Sequence, residues 1–210
     1  MRIGELSRRT GVSVPTIKFY VREGLLPAGE LTSPNQASYG ETHVRRLRLI
    51  RALLDVGGLS VAGIRDVLVA VDEPERPVHK VLGVVASRML PRFDHEPGAG
   101  IEEARKKVAE LVAERGWHAY PENPAGEALA TALAALEGVG HGDFREVLGA
   151  YADAAERVAQ ADVEYVAHHV AREELVESAV VGTVIGDAIF AAMRRLAQVD
   201  ASDRIFGRAT

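Results

Sequence analysis

At 210 residues, 47% apolar and 26% charged, the chain has the size and composition of one or two globular domains. It contains no cysteine, which excludes disulfides, iron–sulfur clusters and thiolate metal sites. The net charge of −5 hides a division: residues 1–70 hold ten Lys/Arg against six acids, a balance of +4, and the rest of the chain carries −9. A basic head on an acidic body fits a chain whose head approaches phosphates.

In chain order, Gly4 to Thr10 reads as a first helix, with Leu6 and neighbouring Ile3 inward. After Gly11, Ser13 is a good N-cap for a second helix and Pro15 is tolerated in its first turn. Gly24 closes that helix as its C′ residue. Leu25 to Tyr39 is rich in Pro, Gly, Ser, Asn and Thr, which suits a β-hairpin. A third helix is expected from Glu41 to Val56, with Val44, Leu47, Ile50 and Leu54 along one stripe. Gly57-Gly58 breaks it, and Ser60 caps a fourth helix ending near Val71.

Asp72 to Pro77 is a hinge, and Val78 to Leu90 a fifth helix. Pro91 to Gly100 is a loop or linker, followed by helices over Ile101 to Arg115 and Ala125 to Glu137. Asp143 is expected to cap a long helical stretch to Gln198, split near Arg172, with a frayed tail after Asp200. The fold class is therefore mainly α. A winged helix-turn-helix (four helices and a small β wing) over 1–72 leads through a connecting helix and linker at 73–100 to an all-helical effector or dimerisation domain at 101–210. No apolar run reaches a membrane span and no apolar leader opens the chain, so no membrane contact and a cytoplasmic location are expected.

The second helix has the chemistry of a DNA reader: small polar residues at its start, cations for phosphates and planar groups against the backbone. Helical spacing puts Thr16, Phe19 and Tyr20 on one face and Lys18 and Arg22 on the adjoining one, with Ile17 and Val21 inward. The segments Ile3-Gly4-Glu5-Leu6, Thr16-Ile17-Lys18-Phe19-Tyr20, Glu23-Gly24-Leu25-Leu26-Pro27 and Val44-x-x-Leu47-x-x-Ile50 closely resemble the MerR family of bacterial transcription regulators. That resemblance covers Arg2 to about Leu68. It implies DNA contacts from Thr16, Lys18 and Tyr20, with Lys18 standing where Arg is usual and Phe19 where Tyr is common. In the wing, Asn35-Gln36-Ala37-Ser38-Tyr39 occupies the place of a Gly-Tyr-Arg-x-Tyr stretch, so a phosphate-gripping cation is missing. Arg45 and Arg46 are candidates to compensate. The expected DNA-binding set is Ser13, Thr16, Lys18, Phe19, Tyr20, Arg22, Asn35, Gln36, Ser38, Tyr39, Arg45 and Arg46.

The resemblance further implies a homodimer on a palindromic promoter site, distorting double-stranded DNA to control RNA polymerase indirectly. In the family, pairing runs through a long helix after the fourth. Here Val78 to Leu90 is short and Pro91 interrupts it, so the C-terminal helices are alternative dimer elements. Trp117, Tyr120, Tyr151, Tyr165, His168, His169 and Phe190 are candidates to bind a small-molecule effector. Several relatives sense metals or oxidants through cysteines, chemistry unavailable to this chain. His169 and Glu173 lie one turn apart, but the surrounding acids favour a salt-bridge face over a metal site. No metal, cofactor or catalytic constellation is expected, and the chain is read as a non-enzyme. The alternative reading is a ligand-independent architectural or developmental DNA-binding protein whose body serves only for assembly.

Overall fold

The structure is a computed structural model that describes residues 1–33, 36–73, 75–90, 100–169 and 175–207, with the side chains of 166, 168, 169, 175 and 176 outside that description. Among the described residues the fold is helical apart from one two-stranded sheet. The chain divides into two compact units, 1–85 with 166–210, and 86–165.

The first unit opens with α1 (Ile3–Thr10) and α2 (Val14–Arg22). Gly11 makes the turn between them with φ +70°, a conformation that favours glycine because it has no Cβ. The Ser13 hydroxyl accepts the Thr16 N–H at 3.2 Å and caps α2 as expected. Gly24, at φ +73°, follows the last residues of α2 and turns the chain. Strands β1 (Glu30–Ser33) and β2 (Gln36–Ser38) pair antiparallel, with Glu30 opposite Ser38 and Leu31 opposite Ala37. Helices α3 (Glu41–Arg51) and α4 (Val61–Val71) complete the head, and the Ser60 hydroxyl caps α4 by accepting the Gly63 N–H.

Apolar residues at helical spacing put Leu6, Ile17, Leu25, Leu47, Ile50, Ile64 and Val67 in one core, each no more than 2% exposed. Burying a side chain of this size contributes about 1.5–3 kcal/mol. Polar ties hold the edges. Arg65 of α4 donates to the Glu23 carbonyl and carboxylate at the end of α2. Arg46 of α3 bonds the Leu25 carbonyl and the Asp72 carboxylate.

The third helix differs from its expected form. Its last turn, Ala52–Val56, widens to a π-helical turn, and the Gly57 N–H donates to the Ala52 carbonyl five residues back. Leu53 rather than Leu54 is the fully buried residue there, on the turn against which the C-terminal helix packs. That helix, α9 (Leu175–Phe206), buries Ala179, Val180 and Val184. A Cβ built on Gly57 would lie 2.5 Å from Cγ1 of Val184, so only glycine lets the turn and α9 approach this closely. Helix α5 (Val78–Met89) buries Val81 and Val85.

The second unit is helical too. Helices α6 (Ile101–Arg115) and α7 (Pro124–Gly138) pack through Ala104, Val108, Ala130, Leu133 and Ala134, where the three alanines permit close approach. Arg105 bridges them by donating to both Glu127 oxygens at 2.9–3.2 Å, which holds its guanidinium charged. A 3₁₀ segment (Gly142–Val147) then leads into α8 (Leu148–His169). Arg115 ties α6 to α8 through Asp153 and the Gly149 carbonyl.

Several boundaries change. Asn123, not anticipated as a cap, accepts the Ala125 and Gly126 N–H groups at the start of α7. Asp143 lies within the 3₁₀ segment rather than capping a long helix. The split expected near Arg172 lies outside the described residues. The tail after Asp200 continues as helix to Phe206, with Arg204 paired to Asp200 one turn back at 2.6 Å. Where the sequence reading ran one C-terminal domain over 101–210, residues 166–210 group with the head.

Candidate nucleic-acid interface

Helix α2 has Ile17 and Tyr20 in the core, 0% and 4% exposed, so its outer face is formed by Lys18 and Arg22 with Thr16 and Phe19 half-exposed beside them. This corrects the expected placement of Tyr20 with Thr16 and Phe19 on an open face. The Tyr20 ring is inside, near Arg51 and Asp55 at the end of α3, and burial pushes its phenol above the ordinary value. Val21, expected inward, is half-exposed. The Arg22 guanidinium sits over the Phe19 ring, 5.4 Å from its centre, which holds both planar groups at the helix surface. Ser13 and Thr16 share a hydroxyl–hydroxyl bond of 2.7 Å at the helix start.

The wing is arranged otherwise than expected. Gln36 is exposed and Ser38 half-exposed, but Tyr39 is only 8% exposed. Its ring packs edge-on to His43 at 5.1 Å, and its backbone exchanges hydrogen bonds of 2.7 and 2.8 Å with Met1. Tyr39 therefore pins the wing to the start of α1, because a ring in a core cannot also present its face to solvent. Asn35 lies outside the described residues.

The cations of the head divide by their partners. Arg46, with only 15% of its side chain exposed, is held by Asp72. Arg65 is held by Glu23, Arg51 by Asp55, and Arg9 by both Glu41 oxygens. Arg46 is thus a structural tie rather than the open cation expected, whereas Arg45 is exposed. Arg2, Arg8 and Lys18 are exposed and carry no ion pair among the described residues. Arg2 and Arg8 line an open groove of about 740 Å³ whose other wall is Thr32, Gln36, Ala37 and Ser38 of the wing. Sequence reasoning passed over these two arginines. They lie on α1 and its N-terminal edge, far in sequence from the wing they stand beside. The available signal was the pair of cations, Arg8-Arg9, in the last turn of α1.

The first 70 residues match the family model described as MerR HTH family regulatory protein. The head belongs to the MerR family. The chain thus carries a DNA-binding helix-turn-helix of transcription regulators at its N-terminus. Curated relatives include the HTH-type transcriptional regulator ZntR homolog of Haemophilus influenzae, 42% identical over 50 residues. Another is the nodulation protein NolA of Bradyrhizobium elkanii, 45% identical over 56 residues. These matches cover 24% and 27% of this chain and 37% and 26% of the relatives, so the likeness is confined to the head. The crystal structure of the putative transcriptional regulator SCO5550 from Streptomyces coelicolor A3(2) is similar over 100% of both chains, at 36% identity and a TM-score of 0.74. The likeness to the solved protein thus extends over the body as well as the head.

Four of the residues expected to bind an effector, Trp117, Tyr120, Tyr151 and Tyr165, lie in the second unit. Trp117 donates from its indole N–H to Glu156 at 2.8 Å, and Tyr151 stacks edge-on to Phe144. Tyr120 is 83% exposed and Tyr165 64%. Phe190 lies on α9, in the other unit. The side chains of His168 and His169 are outside the described residues. Among the described residues no three His or carboxylates cluster as a metal site, and no described helix is long and apolar enough to cross a membrane.

Proposed function

We propose that this regulator binds as a homodimer to a palindromic promoter site, with α2 of each copy in a major groove and the wing against the flanking backbone. In this reading Lys18, Arg22 and Arg45 meet phosphates, Ser13, Thr16, Gln36 and Ser38 offer hydroxyl and amide groups, and Phe19 packs on the backbone. Arg2 and Arg8 supply the cations that Ala37 does not. The observation that carries the reading is the partition of charge: the head's structural arginines are ion-paired, while Arg2, Arg8 and Lys18 are left exposed without an ion pair among the described residues. Distortion of the bound promoter would set the spacing of its elements for RNA polymerase, as the family resemblance implies.

The test is selection of bound genomic fragments followed by footprinting. A protected palindrome between promoter elements supports the reading; scattered sites without two-fold symmetry refute it. We further propose that the body responds to a small-molecule effector. The exposure of Tyr120 and Tyr165 favours a second reading, in which the body serves assembly alone. A compound screen by melting temperature separates the two, because a ligand at 100 times its Kd adds about 2.7 kcal/mol to stability.

A further inference from the structure

The wing is a hairpin too small to fix its own direction. Strands β1 and β2 have four and three residues, and every residue of β1 is exposed. A two-stranded hairpin of this length is marginal alone in water, so its direction is set at its base. That base is built inside the head. Tyr39 directly follows β2, and its backbone exchanges two hydrogen bonds with Met1. Gly29 directly precedes β1, and a Cβ added there would lie 2.8 Å from the Ser38 carbonyl oxygen and 3.0 Å from two ring carbons of Tyr39. The Tyr39 ring thus lies against both legs of the hairpin. It also meets the ring of His43 at 5.1 Å between centres and 85° between planes.

His43 is the third residue of α3. Its Nδ1 accepts the Gly40 N–H at 3.1 Å, while its own backbone N–H donates to the Gly40 carbonyl. Gly40 has no side chain, so the reach back from His43 is the cap that this helix start receives. With Nδ1 as acceptor, the neutral ring carries its proton on Nε2. That Nε2 is buried and has no hydrogen-bond partner among the described residues. A buried donor left without an acceptor is destabilising, and a glutamate here would cap the helix with no donor left over. What the imidazole supplies beyond a cap is a ring against Tyr39.

The backbone that carries this ring is fixed. Val44 and Leu47 of α3 are at most 1% exposed in the head core, and Arg9 of α1 holds Glu41 through both carboxylate oxygens. We infer that His43 is a positioning residue of the DNA-binding head: acting through Tyr39, it sets the direction in which the wing leaves α3. The inference deepens the promoter-binding reading above and rests on it. At about 3.3 Å per residue β1 is about 13 Å long, so a tilt of about 10° at its base moves the far end by about 2 Å, enough to break a hydrogen bond to a phosphate.

A double-mutant cycle in affinity for the footprinted duplex, read by fluorescence anisotropy on the full chain, tests this. His43→Asn keeps an acceptor on Cγ where Nδ1 stands, and with it the cap, but removes the ring. Tyr39→Leu removes the ring's partner. His43→Asn is expected to keep the helical circular dichroism and to lose about tenfold in operator affinity, the effect of one hydrogen bond to a charged group. In the Tyr39→Leu background the same substitution should change affinity by less than about twofold. Wild-type affinity in His43→Asn, or losses that multiply in the double variant, overturns the inference, because a residue serving only as a helix cap gives those results. Hydrogen exchange reads the wing without DNA. The Tyr39 amide, bonded to the Met1 carbonyl at 2.8 Å, should lose protection in His43→Asn, and unchanged protection overturns the inference. A wild type with no site preference would refute the promoter reading, while loss of Tyr39 protection would still support the placement of the wing by His43.

Discussion

Replacing Gly57 by alanine asks whether α9 is seated on the head. Gly57 has φ −75°, which any residue adopts, so the substitution carries no backbone strain. Without a neighbour, alanine here would stabilise the protein by about 0.4–1 kcal/mol, because it restricts the unfolded chain. With α9 in place the new methyl meets Val184 at 2.5 Å, in addition to the Leu53 carbonyl at 2.8 Å and a Leu59 methyl at 2.9 Å that the head itself supplies. Two of these atoms belong to fully buried side chains or backbone, so little can yield, and overpacking of this kind costs about 1–3 kcal/mol. For a unit of this size each kcal/mol lowers the melting temperature by roughly 3–5 °C, giving an expected fall of about 3–15 °C in a calorimetric scan. Val184→Ala alone should also destabilise, by opening a small cavity, yet it removes one of the clashing atoms. The double variant should therefore be more stable than the sum of the two effects predicts. A rise in melting temperature for Gly57→Ala, or strict additivity with Val184→Ala, would refute the docking.

Lys18→Ala and Arg8→Ala should each weaken binding to operator and non-specific duplex alike and lower the slope of log affinity against log salt by about 0.9; a loss confined to the operator would mean that the residue reads bases. Ala37→Arg, which adds a cation beside Arg2 and Arg8, should steepen that slope in the same anisotropy titration. Ser13→Ala removes the cap of α2 and should cost about 1 kcal/mol in urea unfolding, with no change in the m-value. The Arg9 guanidinium holds the Glu41 carboxyl below the usual carboxylate range. Its contribution is therefore complete above that range and is lost as pH falls through the lowered value. Glu41→Gln should flatten the acid limb of a melting-temperature profile while leaving neutral-pH behaviour nearly unchanged, as expected of an exposed pair.

The elements of the head were legible because their signals are local. Ser13 and Ser60 cap helices, Gly11 and Gly24 take positive φ, and Leu6, Ile17, Leu47 and Ile50 repeat at helical spacing. What failed were statements about which way a side chain faces when neighbours distant in sequence decide it. Tyr20 and Phe19 are adjacent aromatics on one helix. Packing against the end of α3 puts the first inside and leaves the second at the surface. Tyr39 and Arg46 look like DNA contacts by residue type, but Met1 and His43 claim one, and Asp72 and the Leu25 carbonyl claim the other.

By itself the sequence determined the family of the head, through its matching motifs, and the helical class and the segregation of positive charge in the head, since periodicity, caps and charge are properties of short stretches. Only the tertiary structure decided which arginines are left without an ion-pair partner. It also decided that α9 belongs with the head, through the contact of Gly57 with Val184 across more than a hundred residues of chain. Such pairings depend on which surfaces meet once the helices pack, and no local pattern in the chain encodes that meeting.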